Sequence, residues 1–350
     1  MAKIRQLKYH DIKKVKAMIQ YVVPSVASNL ISEDKFIIYP LNIIHGLLPV
    51  NMKFLQETYV AVEKNEVLGL ISLTPDTKQK TRWRINKLIL NVNAYDVGKQ
   101  LIDFVVNKYG GAGVETFITI LNETSAEAIA LFKNNCGFRS CTNIHVFEKE
   151  QLQFNKEAYF NCPLLRDIKY TDAENLREFD QQSIFPQYRI SLMNNQSDFK
   201  FGLRNKFANN IAGYKTKKFI FEDPAKHVIE GYVNVTTKDS KHYWADFVLS
   251  LAFQNYYEDI LNYVISYVKY QSDEAKLSVY VRKYYQSSEK LSETLCNLNF
   301  MINQRYQVLV KDYWKASKAP SELKKSPIII FPEIRSPACS IIDLKDNIWS

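Results

Sequence analysis

The amino-acid sequence predicts a mixed α/β (α+β) protein made of two tandem copies of one domain. Each copy is expected to be a mixed β-sheet flanked by about four helices, with an extended tail after the second. The first observation behind this is a repeated segment: Arg5-x-Leu7-Lys8-Tyr9-x-Asp11 returns as Arg166-x-Ile168-Lys169-Tyr170-x-Asp172, 161 residues later. The second is a set of anchors recurring in the same order. Gly69 is answered by Gly231 after 162 residues, Trp83 by Trp244 after 161, Leu101 by Ile260 after 159, and Gly137-Phe138 by Asn299-Phe300 after 162. The third is length: 350 residues accommodate two domains of about 150, each able to bury roughly 70% of its unfolded surface. A period this long exceeds any solenoid repeat. The expected boundaries are 1–152 and 164–315, with 316–350 as linker and tail.

In the first copy, residues 3–8 read as a short strand, and Asp11 stands where a helix cap would precede Ile12, Val15, Met18 and Ile19 at helical spacing. Pro24, Pro40 and Pro49 break residues 20–55 into short turns and loops. Residues 59–62 and 67–73 form a hairpin across a Glu63–Glu66 turn, and 84–92 make a further strand. A helix over 98–109 ends at Gly110-Gly111; a β-branched strand covers 114–121, a helix 125–134, and a last strand 144–148. The second copy repeats this order, with strands at 219–221, 228–235, 244–251, 277–281 and 306–313 and helices at 260–270 and 287–298. Beyond them, residues 315–327 have linker composition, and the proline-punctuated end reads as a strap.

Composition narrows the class. A 46% hydrophobic and 24% charged content is that of a globular protein. The longest apolar run, Ile328–Phe331, is far below the ~20 residues of a membrane span, and the N-terminus has no apolar signal region. The expectation is a cytoplasmic protein without a membrane partner. Five scattered cysteines form no C-x-x-C pair, so neither a disulfide framework nor a metal site is expected. A net charge of +9 suits a polyanionic partner, but the basic residues are dispersed. The denser group Lys78, Lys80, Arg82, Arg84 and Lys87 straddles an expected hairpin and reads as a solvated strand face. Nucleic acid is therefore the lesser expectation.

The order β-α-(irregular)-β-β-β-α-β-α-β, with Val67-Leu-Gly-Leu-Ile71 and the Cys136-Gly137-Phe138 turn, resembles the GNAT superfamily of acyl-CoA-dependent N-acyltransferases over residues 3–150. The resemblance implies two central parallel strands splayed apart to admit acetyl-CoA, its pyrophosphate resting on amides at the start of the third helix. Helix N-termini suit that task, because orphan N–H groups and the dipole both attract phosphate. The family motif there is Arg/Gln-x-x-Gly-x-Gly/Ala; this chain has Asn93-Ala94-Tyr95-Asp96-Val97-Gly98, keeping only the final glycine. Asp96 would repel phosphate unless it caps the helix, and Lys99 offsets its charge. The resemblance implies cofactor contacts at Leu90, Val92, Tyr95, Val97, Gly98, Lys99, Gln100 and Asn122. The leaving-group acid of the family is commonly a tyrosine on the fourth helix, where this chain has Phe132; Tyr95 and Tyr109 are the alternatives, and no catalytic residue is assigned. Glu57 and Glu63 read as surface-strand carboxylates rather than a base.

The equivalent stretch of the second copy, Ala252–Asp259, has no glycine and two carboxylates, so a structural or substrate-walling role is expected there. The leading functional expectation is an N-acyltransferase moving an acetyl (acyl) group from acetyl-CoA to a small-molecule or peptide amine. The alternatives are a non-catalytic GNAT-fold scaffold, favoured by the eroded loop, and a Fem-like transferase using aminoacyl-tRNA.

Overall fold

The computed structural model describes residues 2–21, 57–76, 81–91, 95–160, 165–194, 196–199, 215–223, 225–226 and 228–313. The proline-broken region after the first helix, Val92 and the C-terminal strap lie outside them. The first half runs β1 (Lys3–Gln6), α1 (Ile12–Tyr21), β2 (Glu57–Glu63), β3 (Glu66–Pro75), β4 (Arg82–Leu90), α2 (Tyr95–Gly111), β5 (Thr116–Asn122), α3 (Ala126–Ala130) and β6 (Arg139–Lys149), with α3 widening into a π-turn over Leu131–Asn135. A short helix α4 (Lys156–Phe160) leads to the second half: β7 (Leu165–Asp167), α5 (Ala173–Ser183), α6 (Pro186–Leu192), α7 (Gln196–Phe199), β8 (Lys215–Glu222), β9 (Ile229–Thr237), β10 (His242–Leu249), α8 (Tyr257–Gln271), β11 (Lys276–Arg282), α9 (Ser288–Asn297) and β12 (Met301–Asp312).

All twelve strands join one sheet, in the order β1-β2-β3-β4-β5-β12-β6-β11-β10-β9-β8-β7. The order reads the same from either edge once each strand is replaced by its repeat counterpart, and in each half the neighbour of the fifth strand is the final strand of the other half. β12 runs antiparallel to β5 from Tyr306↔Asn122 to Asp312↔Thr116. β6 runs antiparallel to β11 from Leu277↔Lys149 to Arg282↔Ile144, and β6 and β12 pair with each other. Each half thus supplies the strand that completes the other, which leaves no unpaired edge at the junction. It also explains why β6 begins at Arg139 rather than at 144: Arg139–Asn143 pair with β12.

Apolar side chains on one sheet face pack under α2 over the first half, through Leu101, Val105, Phe117 and Leu121. The same face packs under α8 and α9 over the second, through Ile260, Val264, Val279 and Leu295. The opposite face carries a core drawn from both halves, including Ile118, Ile144, Val308, Tyr280 and Leu176.

The repeat is structural as well as textual. Arg5 makes a two-pronged pair with Asp11 at 2.5 and 2.8 Å, and Arg166 makes the same pair with Asp172 at 2.8 and 3.1 Å. Each aspartate also accepts a backbone N–H, from Lys8 at 2.9 Å and from Lys169 at 2.6 Å. Gly137 (φ 68°) and Asn299 (φ 60°) hold the same left-handed turn, which asparagine tolerates best after glycine. One anchor shifts: by register Trp83 corresponds to Tyr243, since Arg82 pairs with Thr116 and His242 with Lys276. Trp83 is buried on the α2 side, stacked on Tyr109 at 4.3 Å, whereas Trp244 lies on the opposite face because side chains alternate along a strand.

Candidate functional site: two strand forks

β4 and β5 are parallel and paired from Arg82↔Thr116 to Ile85↔Thr119, after which they diverge. β10 and β11 do the same, paired from His242↔Lys276 to Asp246↔Tyr280. The two forks differ in detail. In the first, Ser72 faces Lys87 and Leu73 faces Ile85, so Asn86 is an extra residue in a bulge of β4. In the second, β10 follows β9 without interruption from Tyr243↔Thr237 to Leu249↔Gly231.

They differ more in what stands at the head of the following helix. The offset that relates Leu101 to Ile260 places Gly98 of α2 opposite Tyr257 of α8. Tyr257 is 1% exposed, and its hydroxyl closes a ring of hydrogen bonds across the second fork. The Leu249 N–H donates to the Tyr257 oxygen at 3.0 Å, that hydroxyl bonds Ser287 Oγ at 2.8 Å, and Ser287 donates to the Leu249 carbonyl at 2.6 Å. Burial pushes the Tyr257 phenol up to about 12, so it stays protonated. Gly98 has no side chain to do this. A Cβ placed there would meet Leu90 Cδ1 at 2.7 Å and Leu131 Cδ2 at 3.0 Å, so the glycine is needed for the close approach of these leucines.

Of the residues expected around acetyl-CoA, the structure brings Leu90, Val97 and Gly98 together at the first fork, with Val97 and Gly98 buried. Lys99 is exposed and pairs with Asp103 at 3.7 Å one turn on, while Gln100 follows it on the half-buried side. Asp96 is an exposed first-turn residue rather than a cap, where the dipole still favours a carboxylate. Asn122 ends β5 and is engaged by Thr124, accepting its N–H at 3.0 Å and its hydroxyl at 2.8 Å. Val92 and the Tyr95 side chain lie outside the described residues.

Tyr109 is not available as an acid. It lies eleven residues along α2 from Gly98, about 16 Å at the helical rise. It is 9% exposed, and its hydroxyl is 2.7 Å from that of Tyr59. Burial, with Tyr59 beside it, pushes its phenol far above the usual range. Phe132 is fully buried against Phe138, ring centres 5.0 Å apart. Among the described residues no group of three or more His, Cys, Asp or Glu could hold a metal, and no helix is long and apolar enough to cross a membrane.

The basic stretch read as a solvated face is not one at Arg82, which is 8% exposed. Its Nε pairs with Asp76 at 2.6 Å, its Nη1 donates to the Ser191 and Met193 carbonyls at 3.2 and 3.0 Å, and its Nη2 donates to Asn194 Oδ1 at 3.1 Å. Those carbonyls end α6, so a first-half arginine caps a second-half helix; acceptors on every arm are what make its burial tolerable. Arg84 pairs with the same carboxylate. Burial works against the charge of Asp76, but the two guanidinium groups hold it below the usual carboxylate range. Lys78 and Lys80 lie outside the described residues. Tyr257 was the most findable of the residues missed, because the helix anchors already set it against Gly98.

No protein-family model matches the sequence, and no curated protein does. Solved structures do match. A tandem GNAT protein from the clavulanic acid biosynthesis pathway is 11% identical, with 91% of this chain and 100% of that one covered, at a TM-score of 0.51. A GCN5-related N-acetyltransferase from Sphaerobacter thermophilus is 11% identical over 91% and 98% of the two chains, at a TM-score of 0.53. The chain has the tandem GNAT fold. Its two forks differ: a glycine stands at the head of the helix after one and a hydrogen-bonded tyrosine after the other.

Proposed function

We propose that the protein is an N-acyltransferase that moves an acetyl group from acetyl-CoA to a small-molecule or peptide amine in the cytoplasm. The first half, residues 1–152, is assigned the reaction and the second, 164–315, support. The asymmetry of the forks is what favours this reading: Asn86 bulges and Gly98 is bare in the first, whereas Tyr257 and Ser287 take up both backbone groups of Leu249 in the second. The buried phenol of Tyr257 occupies the second fork, so acetyl-CoA is assigned to the first. Acetyl-CoA would supply the activated carbonyl and its thiolate leaving group. The chain's part is to bind and orient: α2 begins at Tyr95, so the first-turn N–H groups of Tyr95, Asp96 and Val97 have no partner within the helix and suit an anion. Bringing amine and thioester together accounts for much of the rate when no acid or base is assigned.

The test is calorimetric titration with acetyl-CoA and coenzyme A, on the wild type and on Gly98→Glu, with the fold of each checked by circular dichroism. Micromolar binding to wild type, lost in a folded variant, supports the reading. No heat with either ligand sinks it. A second reading, a non-catalytic scaffold, is favoured by Leu90 and Leu131 crowding Gly98, and absent binding would leave that reading standing.

A further inference from the structure

On the sheet face away from α2 and α8, a cavity of about 510 Å³ lies between the two halves. Its size is that of a small-molecule site. Arg82 and Arg84 line one end, Lys218 and Arg282 the other, and Ile118, Ile144 and Val308 lie between them. At the first end two guanidinium groups share the single carboxylate of Asp76. At the second, Arg282 Nη2 sits 2.8 Å from Asp246, and its Nη1 donates to the Tyr284 hydroxyl at 3.3 Å. Burial pushes the Asp246 carboxyl above the usual range, which weakens its hold on that charge.

One N–H is left over at each end. Arg84 Nε and Arg282 Nε are buried and have no hydrogen-bond partner among the described residues. A buried donor without an acceptor is costly and is rarely left so. β4 and β11 are separated by β5, β12 and β6, so the two arginines stand four strand spacings apart. That is roughly 19 Å along a flat sheet, less along a twisted one.

We propose that this cavity binds an elongated organic dianion, with one carboxylate beside Arg84, the other beside Arg282, and an apolar middle over Ile118, Ile144 and Val308. Guanidinium groups suit planar oxyanions, and the isoleucine and valine floor suits methylene rather than a second polar group. The joined sheet builds the site: β5, β12 and β6, which stand between the two arginines, carry Ile118, Val308 and Ile144 of its floor. The site does not depend on acyl transfer.

The experiment is calorimetry on the full chain, without coenzyme A, using succinate, suberate, dodecanedioate and dodecanoate as probes. Dodecanedioate is expected to bind at least tenfold tighter than succinate and dodecanoate. Arg84→Gln and Arg282→Gln are each expected to cost at least tenfold, with Arg177→Gln, at a half-buried position outside the cavity lining, unchanged. Arg84→Lys and Arg282→Lys keep a charge opposite Asp76 and Asp246 but lack the planar guanidinium fork, and they are expected to weaken binding as well. They serve where a glutamine variant fails to fold. No binding by any diacid, equal binding by dodecanoate, or undiminished binding by the lysine variants would overturn the proposal.

Discussion

The Leu249 N–H donates to the Tyr257 hydroxyl at 3.0 Å, and through Ser287 the same hydroxyl is tied back to the Leu249 carbonyl. Both backbone groups of a residue on a diverging strand are thereby satisfied without a sheet partner or a ligand. Such groups must be paired when buried. The second fork is therefore complete as it stands, and the first is not closed in this way.

Replacing Tyr257 by phenylalanine removes the ring and leaves the Leu249 N–H without its acceptor. The expected loss is about 1–3 kcal/mol, read as a lower unfolding midpoint in urea with an unchanged slope. Acetyl-CoA binding should not change. A variant that loses binding while staying folded would move the cofactor to the second half.

The Arg5–Asp11 and Arg166–Asp172 pairs should make stability depend on acid. Burial alone would raise both carboxyls, but the arginine and the backbone N–H beside each outweigh it and hold them below the usual range. A depressed folded value means the contribution is complete above the unfolded value of about 3.9 and is lost as pH falls through the folded one. Asp11→Asn and Asp172→Asn are expected to cost about 1–3 kcal/mol at pH 7. The gap to wild type should close below about pH 4.

Asp180 should behave with the opposite sign. It is fully buried, accepting the Tyr285 hydroxyl at 2.8 Å, and burial raises its carboxyl above the usual range. Stability from a raised carboxyl is greatest below the unfolded value and declines as pH rises toward the folded one. Urea melts of Asp180→Asn from pH 4 to 7 should show the variant gaining on wild type as pH rises. A constant difference would mean the carboxylate is ionised throughout.

The exchanged strands predict how the chain can be divided. Residues 1–152 alone carry β6 without β11 and leave β5 without β12, so the fragment should self-associate in size-exclusion chromatography. Co-expressed with residues 153–350, it should elute as a one-to-one complex. A stable monomeric 1–152 would show that β6 can return to β5.

Much of this was legible in the chain. Arg5 and Asp11 return as Arg166 and Asp172 because a two-pronged ion pair closing a tight turn constrains both residues and their spacing. Gly137 and Asn299 mark one backbone conformation that few other residues accept. The site was less legible. Tyr257 is one tyrosine among 22, and only the helix register sets it against Gly98. Trp83 and Trp244 looked equivalent because a one-residue shift is invisible in a list of anchors, yet it moves a side chain to the other face of the sheet.

By itself the sequence determined the duplication, the order of strands and helices, and the loss of glycine from the second fork. These are local, since period, turn chemistry and backbone conformation are each set within a few residues. Tertiary structure alone decided that β6 and β12 trade places, that Arg82 is buried beneath a helix of the other half, and that Arg84 and Arg282 face one cavity. Strand partners are chosen by long-range pairing of edges, and local periodicity is the same whichever partner is chosen.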